Sequence, residues 1–203
     1  MIDIETEDGL RVISINRPEK ANSLTREMLV ALEEAVVTAS DDEGLRALVL
    51  TGVGKVFSAG MDLEAAKAGL ARDGVWERLS GAIAECPVLT IAALNGTAAG
   101  GSLGMVLACD LRVAVPTAKI FYPVMRLGFL PQPSDPGRLA AIVGPSRAKI
   151  ILMAGQKIEM PEASAIGLVD AVSEDPLAKA RELAVDALSA DRAHVAAIKA
   201  LCS

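Results

Sequence analysis

Between Asn95 and Gly104 the chain reads Asn-Gly-Thr-Ala-Ala-Gly-Gly-Ser-Leu-Gly. Glycines where a strand turns into a helix let a ligand approach the main chain, and the first N–H groups of such a helix have no intrahelical partner. With the helix dipole, those donors can hold a developing oxyanion; one donor contributes about 2.7–4 kcal/mol in enzymes that use it. The same glycines would also serve close packing of a helix on a sheet.

A second chemistry is written into the same residues. Gly100-Gly-Ser102-Leu-Gly104 satisfies the Gly-x-Ser-x-Gly pattern of serine hydrolases, and Asp135 or Asp170 followed by the only histidine, His194, keeps their chain order. Against it, Asn95 to Gly101 separate Ser102 from its strand, whereas an elbow serine follows its strand directly. Gly52-x-Gly54 lacks the third glycine of a dinucleotide fingerprint, and Lys55 is followed by Val56 where a phosphate loop needs Ser or Thr. Cys86, Cys109 and Cys202 are too scattered for a disulfide framework or a zinc knuckle, so no metal is expected; they read as small buried residues in a reducing compartment.

The elements that must position these residues follow from periodicity and punctuation. Leu10 to Asn16 reads as a strand stopped by Arg17-Pro18. A helix capped by Thr25, with Leu29, Leu32 and Val36 on one face, ends at Asp41 to Gly44. Leu45 to Thr51 is a strand, helices follow over about 61–71 and 74–85, and Pro87 to Leu94 is a strand whose unbroken apolar run fits a sheet covered on both faces. A helix ending near Cys109 and a strand from Leu111 to Val115 complete a βαβ unit. A proline-broken loop from Pro131 to Pro136 leads to helices near 137–143 and 145–153, a helix from Pro161 to Gly167, a strand from Leu168 to Val172, and helices from Pro176 onward. The expected organisation is one α/β domain over residues 1–203, with a core to about 172 and a helical C-terminal segment from about 173.

Composition narrows the function classes. Of 203 residues 52% are hydrophobic but only 2% aromatic, so the core is built from Ala, Val, Leu and Ile. A net charge of -6 without a basic cluster argues against a nucleic-acid partner. The longest apolar stretch, Cys86 to Leu94, contains Pro87 and Thr90 and is far shorter than the ~20 residues of a membrane helix. The acidic start carries no secretory pattern, which makes a cytoplasmic location the default expectation.

Four segments, in order, resemble the enoyl-CoA hydratase/isomerase or crotonase family. Asn16-Arg-Pro-Glu-Lys-Ala-Asn-Ser-Leu24 is similar to its opening signature, and Leu50-Thr-Gly-x-Gly-Lys-Val-Phe-Ser-Ala-Gly-Met-Asp-Leu63 to its first oxyanion loop. Asn95 to Gly101, with Leu107-Ala-Cys-Asp-Leu-Arg112, is similar to the second, and Glu162-Ala-x-x-x-Gly-Leu-Val169 to a late helix-to-strand turn. The resemblance implies a crotonase-like core of repeated ββα units with C-terminal helices, a homotrimer or dimer of trimers, and a soluble lyase or isomerase of fatty acid metabolism. Its partner is an acyl-CoA thioester, with no separate cofactor because coenzyme A arrives in the substrate. By motif the two oxyanion N–H groups fall on Met61 and Gly101, where a side chain at 101 would fill the space of the thioester oxygen. Lys20, Ala21, Ser23, Leu24, Ala59, Asp62 and Leu63 match positions lining the coenzyme pocket. Asp62 equally suits a helix-start acid. The chain also stops short of the family's usual end, where a further helix bears on subunit packing and the adenine.

The departures concern the acid and base. The hydratase glutamates of the family correspond here to Gly104 and Val124, and neither residue can exchange a proton. Gln132 stands where dehalogenase-like and dienoyl isomerase-like relatives carry an aspartate. Tyr122, Arg126, Gln132, Ser134, Asp135 and Glu64 are the polar residues left for the pocket. Asp135, in its proline-bracketed loop, is the candidate acid/base. Two readings stand beside each other: an enzyme with non-standard acid/base residues, and a non-catalytic acyl-CoA-binding protein of the same fold.

Overall fold

The computed structural model describes residues 1–202. Strands β1 (Ile2–Glu7) and β2 (Leu10–Ile15) form an antiparallel hairpin through Asp8 and Gly9, whose φ angles of 48° and 82° are those of a tight hairpin turn. No strand is expected before Leu10 from the reading above. The Asp-Gly pair after the alternating Ile2-Asp3-Ile4-Glu5 is the signal for it. Helix α1 (Arg26–Asp41) starts where expected, with Thr25 Oγ1 accepting the Met28 N–H at 3.3 Å and Met28, Leu29, Leu32, Ala35, Val36 and Ala39 buried along one face.

Three strand-strand-helix passages follow. In the first, β3 (Ala47–Gly52) and β4 (Val56–Ser58) lead to α2 (Leu63–Lys67) and α3 (Val75–Glu85). In the second, β5 (Leu89–Leu94) and β6 (Thr97–Ala99) lead to α4 (Leu103–Ala108). In the third, β7 (Leu111–Ala114) and β8 (Lys119–Phe121) lead to α5 (Val124–Leu127) and α6 (Asp135–Val143). The chain continues through α7 (Pro145–Leu152), β9 (Ile158–Glu159), α8 (Met160–Ala165), β10 (Ala171–Val172), α9 (Pro176–Leu183), α10 (Val185–Ser189) and α11 (Arg192–Leu201).

The strands sort into two sheets. The larger runs β1-β2-β3-β5-β7-β10, parallel except for the β1 edge, and the smaller runs β4-β6-β8-β9. Each passage therefore places one strand in each sheet, which is the ββα repeat. The unbroken apolar runs have the expected cause. Leu48, Leu50, Ala92 and Leu94 face one core with α1 and α3, whereas Ala47, Val49, Ile91 and Ala93 face a second core closed by Ala180 of α9 and by Ala184, which caps its end. Each fully buried Leu or Ile there contributes about 1.5–3 kcal/mol.

Four expectations are corrected. The helix expected over 61–71 breaks at Gly69, φ 93°, and resumes as a single 3-10 turn, Leu70–Arg72. The expected strand from Leu168 shrinks to Ala171–Val172, because the Leu168 and Val169 N–H groups both donate to the Ala163 carbonyl and wrap the end of α8. Asp135 is not a loop residue but the first residue of α6, with Pro136 in a first-turn position where its missing N–H costs nothing. Of the cysteines, Cys86 and Cys109 are buried but Cys202 is exposed; burial pushes the Cys109 thiol up to about 12, which leaves it protonated and inert.

Candidate active site

The ends of β4 and β6 meet at a glycine. Gly60, φ 89°, lies so close to the second loop that a Cβ on it would stand 2.6 Å from the Ala99 carbonyl oxygen, so no side chain fits. On its other side the first loop is tied to the segment before α1. The Ala59 N–H donates to Ala21 O at 3.0 Å, the Leu24 N–H to Gly60 O at 2.8 Å, and the Asp62 N–H to Leu24 O at 2.9 Å. This parallel bridge of Leu24 and Met61 uses the groups flanking Met61 and leaves Met61's own N–H out of it. Beyond Ala99 the chain turns through Gly100, φ 58°, and Gly101 into α4.

Two asparagines fix the approach to these loops. Asn22 is fully buried, accepts the Arg17 N–H at 2.8 Å and donates to Val53 O at 3.0 Å and Val56 O at 2.7 Å. Asn95 accepts the Gly52 N–H at 3.1 Å and donates to Gly54 O at 2.9 Å. Both side chains saturate main-chain groups that a three-residue strand cannot pair by itself.

Met61 and Gly101 line one cavity of about 260 Å³, together with Ala59, Leu63, Ala99 and Gly100. The rest of its wall is mainly apolar and aromatic, with Trp76, Phe121, Tyr122, Val124, Phe129 and Leu130, and Gln132 adding an amide. The whole chain contains one Trp, one Tyr and three Phe, and all but Phe57 are in this wall. That scarcity is a sequence signal for the site which motif reasoning passes over. Trp76 is held by its indole N–H on Leu70 O at 2.9 Å, and its ring would stand 3.0 Å from a Cβ on Gly101. The packing adds a second reason for glycine at 101, since an added side chain meets the indole.

Behind Tyr122 lies a buried carboxylate. The Tyr122 hydroxyl donates to Asp135 Oδ2 at 2.8 Å, and Asp135 is 1% exposed, its Oδ1 without a hydrogen-bond partner among the described residues. Burial pushes the Asp135 carboxyl up to about 6, against the opposing effects of the Tyr122 hydroxyl and Arg138. Burial and the neighbouring carboxylate hold the Tyr122 phenol well above its ordinary value. The carboxylate occupies space that Gly104 leaves, since a Cβ on Gly104 would stand 3.1 Å from Oδ1. Ser134, just before Asp135, bonds through its hydroxyl and N–H to Glu77 of α3.

The remaining candidates divide sharply. Leu24 is fully buried in the core and acts on the site only through its backbone. Lys20 and Ala21 end an exposed 3-10 turn, and Ala21 is left-handed at φ 51°. Asp62 Oδ1 caps α2 through the Glu64 and Ala65 N–H groups, and Oδ2 accepts from Arg17 at 2.8 Å and from Ser23 at 3.4 Å. The Arg17 hydrogen bond, then the backbone, holds its carboxyl below the usual range. Asp62 is thus fully engaged in joining two segments. Arg126 and Glu64 are exposed, Glu64 pairing with Lys67. The serine-hydrolase arrangement is not assembled. Ser102 is fully buried with its hydroxyl on Ala99 O at 2.8 Å, Asp170 pairs with Arg112 at 2.9 Å, and His194 is exposed on α11. The apparent gap between strand and serine is itself filled by β6, too short and glycine-flanked to read from sequence.

The family model for enoyl-CoA hydratase/isomerase matches residues 5–203. The crotonyl-CoA hydratase of Syntrophomonas wolfei is 36% identical over 211 residues, covering 98% of this chain and 80% of that protein. The short-chain-enoyl-CoA hydratase of Clostridium acetobutylicum is 35% identical over 181 residues, covering 84% of this chain and 68% of that one. In three dimensions an enoyl-CoA hydratase/isomerase from Pseudoalteromonas atlantica T6c superposes with a TM-score of 0.92 at 31% identity, over 99% of this chain and 82% of the other. Among the described residues no helix is long and apolar enough to cross a membrane.

Proposed function

The chain belongs to the enoyl-CoA hydratase/isomerase family, and from that premise we propose that its aromatic-walled cavity takes the acyl group of a coenzyme A thioester. In this reading the Met61 and Gly101 N–H groups donate to the thioester oxygen, lowering the cost of enolate character at the neighbouring carbon. The observation that carries it is that Met61 and Gly101, which open from the ends of different repeats, line one cavity. Backbone donors fixed by a sheet need no reorganisation as charge develops, and a largely apolar wall strengthens them by excluding water. The wall also suits an apolar acyl chain.

The activity proposed is that of a lyase or isomerase acting at the α-carbon of an acyl-CoA. A second reading, a binding protein without turnover, is favoured by one observation: Val124, which lines the cavity, and Gly104, beside Asp135, have no carboxylate to supply. Crotonyl-CoA and a panel of enoyl, dienoyl and malonyl-type thioesters, followed by calorimetry and mass spectrometry, separate the two. Micromolar binding with a new product supports the enzyme; binding with no product across the panel supports the binding protein, and no binding to any thioester overturns both.

A further inference from the structure

A carboxylate buried with one oxygen unpartnered is a costly charge. Asp135 is such a group, and its other oxygen is joined by a 2.8 Å hydrogen bond to Tyr122, which lines the cavity. No carboxylate lines this cavity directly among the described residues, so Asp135, reached through Tyr122, is the carboxylate hydrogen-bonded to its wall. From α3 the charged group facing Asp135 is Glu77, from α6 it is Arg138, and α4 presents only the uncharged Gly104.

We infer that Tyr122 is a catalytic residue that removes and returns the α-proton of the bound thioester, with Asp135 taking up the phenol's own proton. The inference rests on the thioester reading above. As the α C–H bond breaks, its electron pair forms the enolate double bond and the carbonyl pair moves onto the thioester oxygen. The α-proton goes to Tyr122 Oη while the Tyr122 proton goes to Asp135 Oδ2. Negative charge thus leaves a poorly solvated carboxylate and arrives on an oxygen facing two N–H donors. The reverse step returns a proton from Tyr122 Oη to the α-carbon while Asp135 gives the phenol its proton back. Asp135 acts through Tyr122, in space that Gly104 leaves free.

The test is exchange of the α-hydrogens of butyryl-CoA in deuterium oxide, read by mass spectrometry, with butyryl-CoA affinity measured alongside. The native protein is expected to incorporate deuterium, faster as pH rises through about 6 and the acceptor carboxylate forms. Tyr122→Phe and Asp135→Asn are each expected to retain affinity within a few-fold and to lose at least about 100-fold in exchange rate. Asp135→Asn should also remove the rise near that pH, which a merely structural residue would not do. Binding without exchange in the native protein, or a Tyr122→Phe protein that exchanges at the native rate, overturns the relay alone. If Tyr122→Phe does not fold, native-rate exchange by Asp135→Asn has the same force. Absence of butyryl-CoA binding by the native protein overturns the thioester reading and the relay with it.

Discussion

Gly104 and Asp135 share one space: a Cβ on the glycine would stand 3.1 Å from Oδ1 of the carboxylate, closer than side chains normally approach. Substituting Gly104→Ala therefore brings two opposed terms, a gain of about 1 kcal/mol from helix propensity and a loss of about 1–3 kcal/mol from overpacking. In an Asp135→Ala background only the first term remains. A double-mutant cycle by urea denaturation is expected to give a coupling of about 1–3 kcal/mol between the two sites, the overpacking term alone. Additive effects would show that the carboxylate moves aside freely.

Asp135 also sets a pH dependence. Its folded pKa, about 6, lies above the unfolded value of about 3.9, so the folded state binds this proton more tightly. Its contribution is fully present below about pH 4 and is lost as pH rises through about 6. The loss is on the order of 2–3 kcal/mol, from roughly two pH units at 1.36 kcal/mol each. Asp135→Asn keeps the shape and removes the titration, so the difference in urea midpoint between variant and native protein should shift in the variant's favour between pH 4 and 7. A constant difference over that range would mean the carboxyl is solvated.

At Gly101 the neighbour is Trp76, whose buried ring would stand 3.0 to 3.3 Å from an added Cβ. Gly101→Ala is expected to cost about 1–3 kcal/mol in stability and to weaken acyl-CoA binding. Trp76→Phe withdraws the atoms that would be struck. The double variant should recover part of the stability, measured by thermal unfolding, without recovering affinity if the added Cβ still blocks the approach of the thioester oxygen to the residue 101 N–H.

Ser102→Ala separates the two chemistries written into one glycine-rich run. The hydroxyl donates to Ala99 O in a fully buried setting, so its loss should cost about 1 kcal/mol of stability. Acyl-CoA binding and α-hydrogen exchange should stay within a few-fold of native. A loss of turnover by several orders of magnitude would restore the nucleophile reading.

What could be read from residue types was local. Thr25 announces α1 because an N-cap is a nearest-neighbour device, and Pro87 to Leu94 announces a doubly covered strand because burial on both faces removes alternation. The smaller sheet was invisible in its parts, since β4, β6 and β8 have three residues each and take their pairing from one another. The motif resemblance supplied Met61 and Gly101 as a pair. It could not supply the meeting of Gly104 with Asp135, because Asp135 read as a proline-bracketed turn residue, and only the packing of α4 against α6 turns it inward.

The strands β2, β3, β5 and β7 lie parallel, so each pairing must first close a long intervening segment and be repaid only afterwards. The cavity adds a further condition, because Gly60 touches Ala99 only when two such passages have docked. The cavity is therefore expected to close late in folding, after the larger sheet has taken its register. The molecule carries its own clock for this: its single tryptophan is Trp76, in the cavity wall. During refolding its emission is expected to follow the closing of that wall, while far-ultraviolet dichroism follows the backbone, and the interval between the two signals would be the time for which the protein has a fold but not yet its cavity.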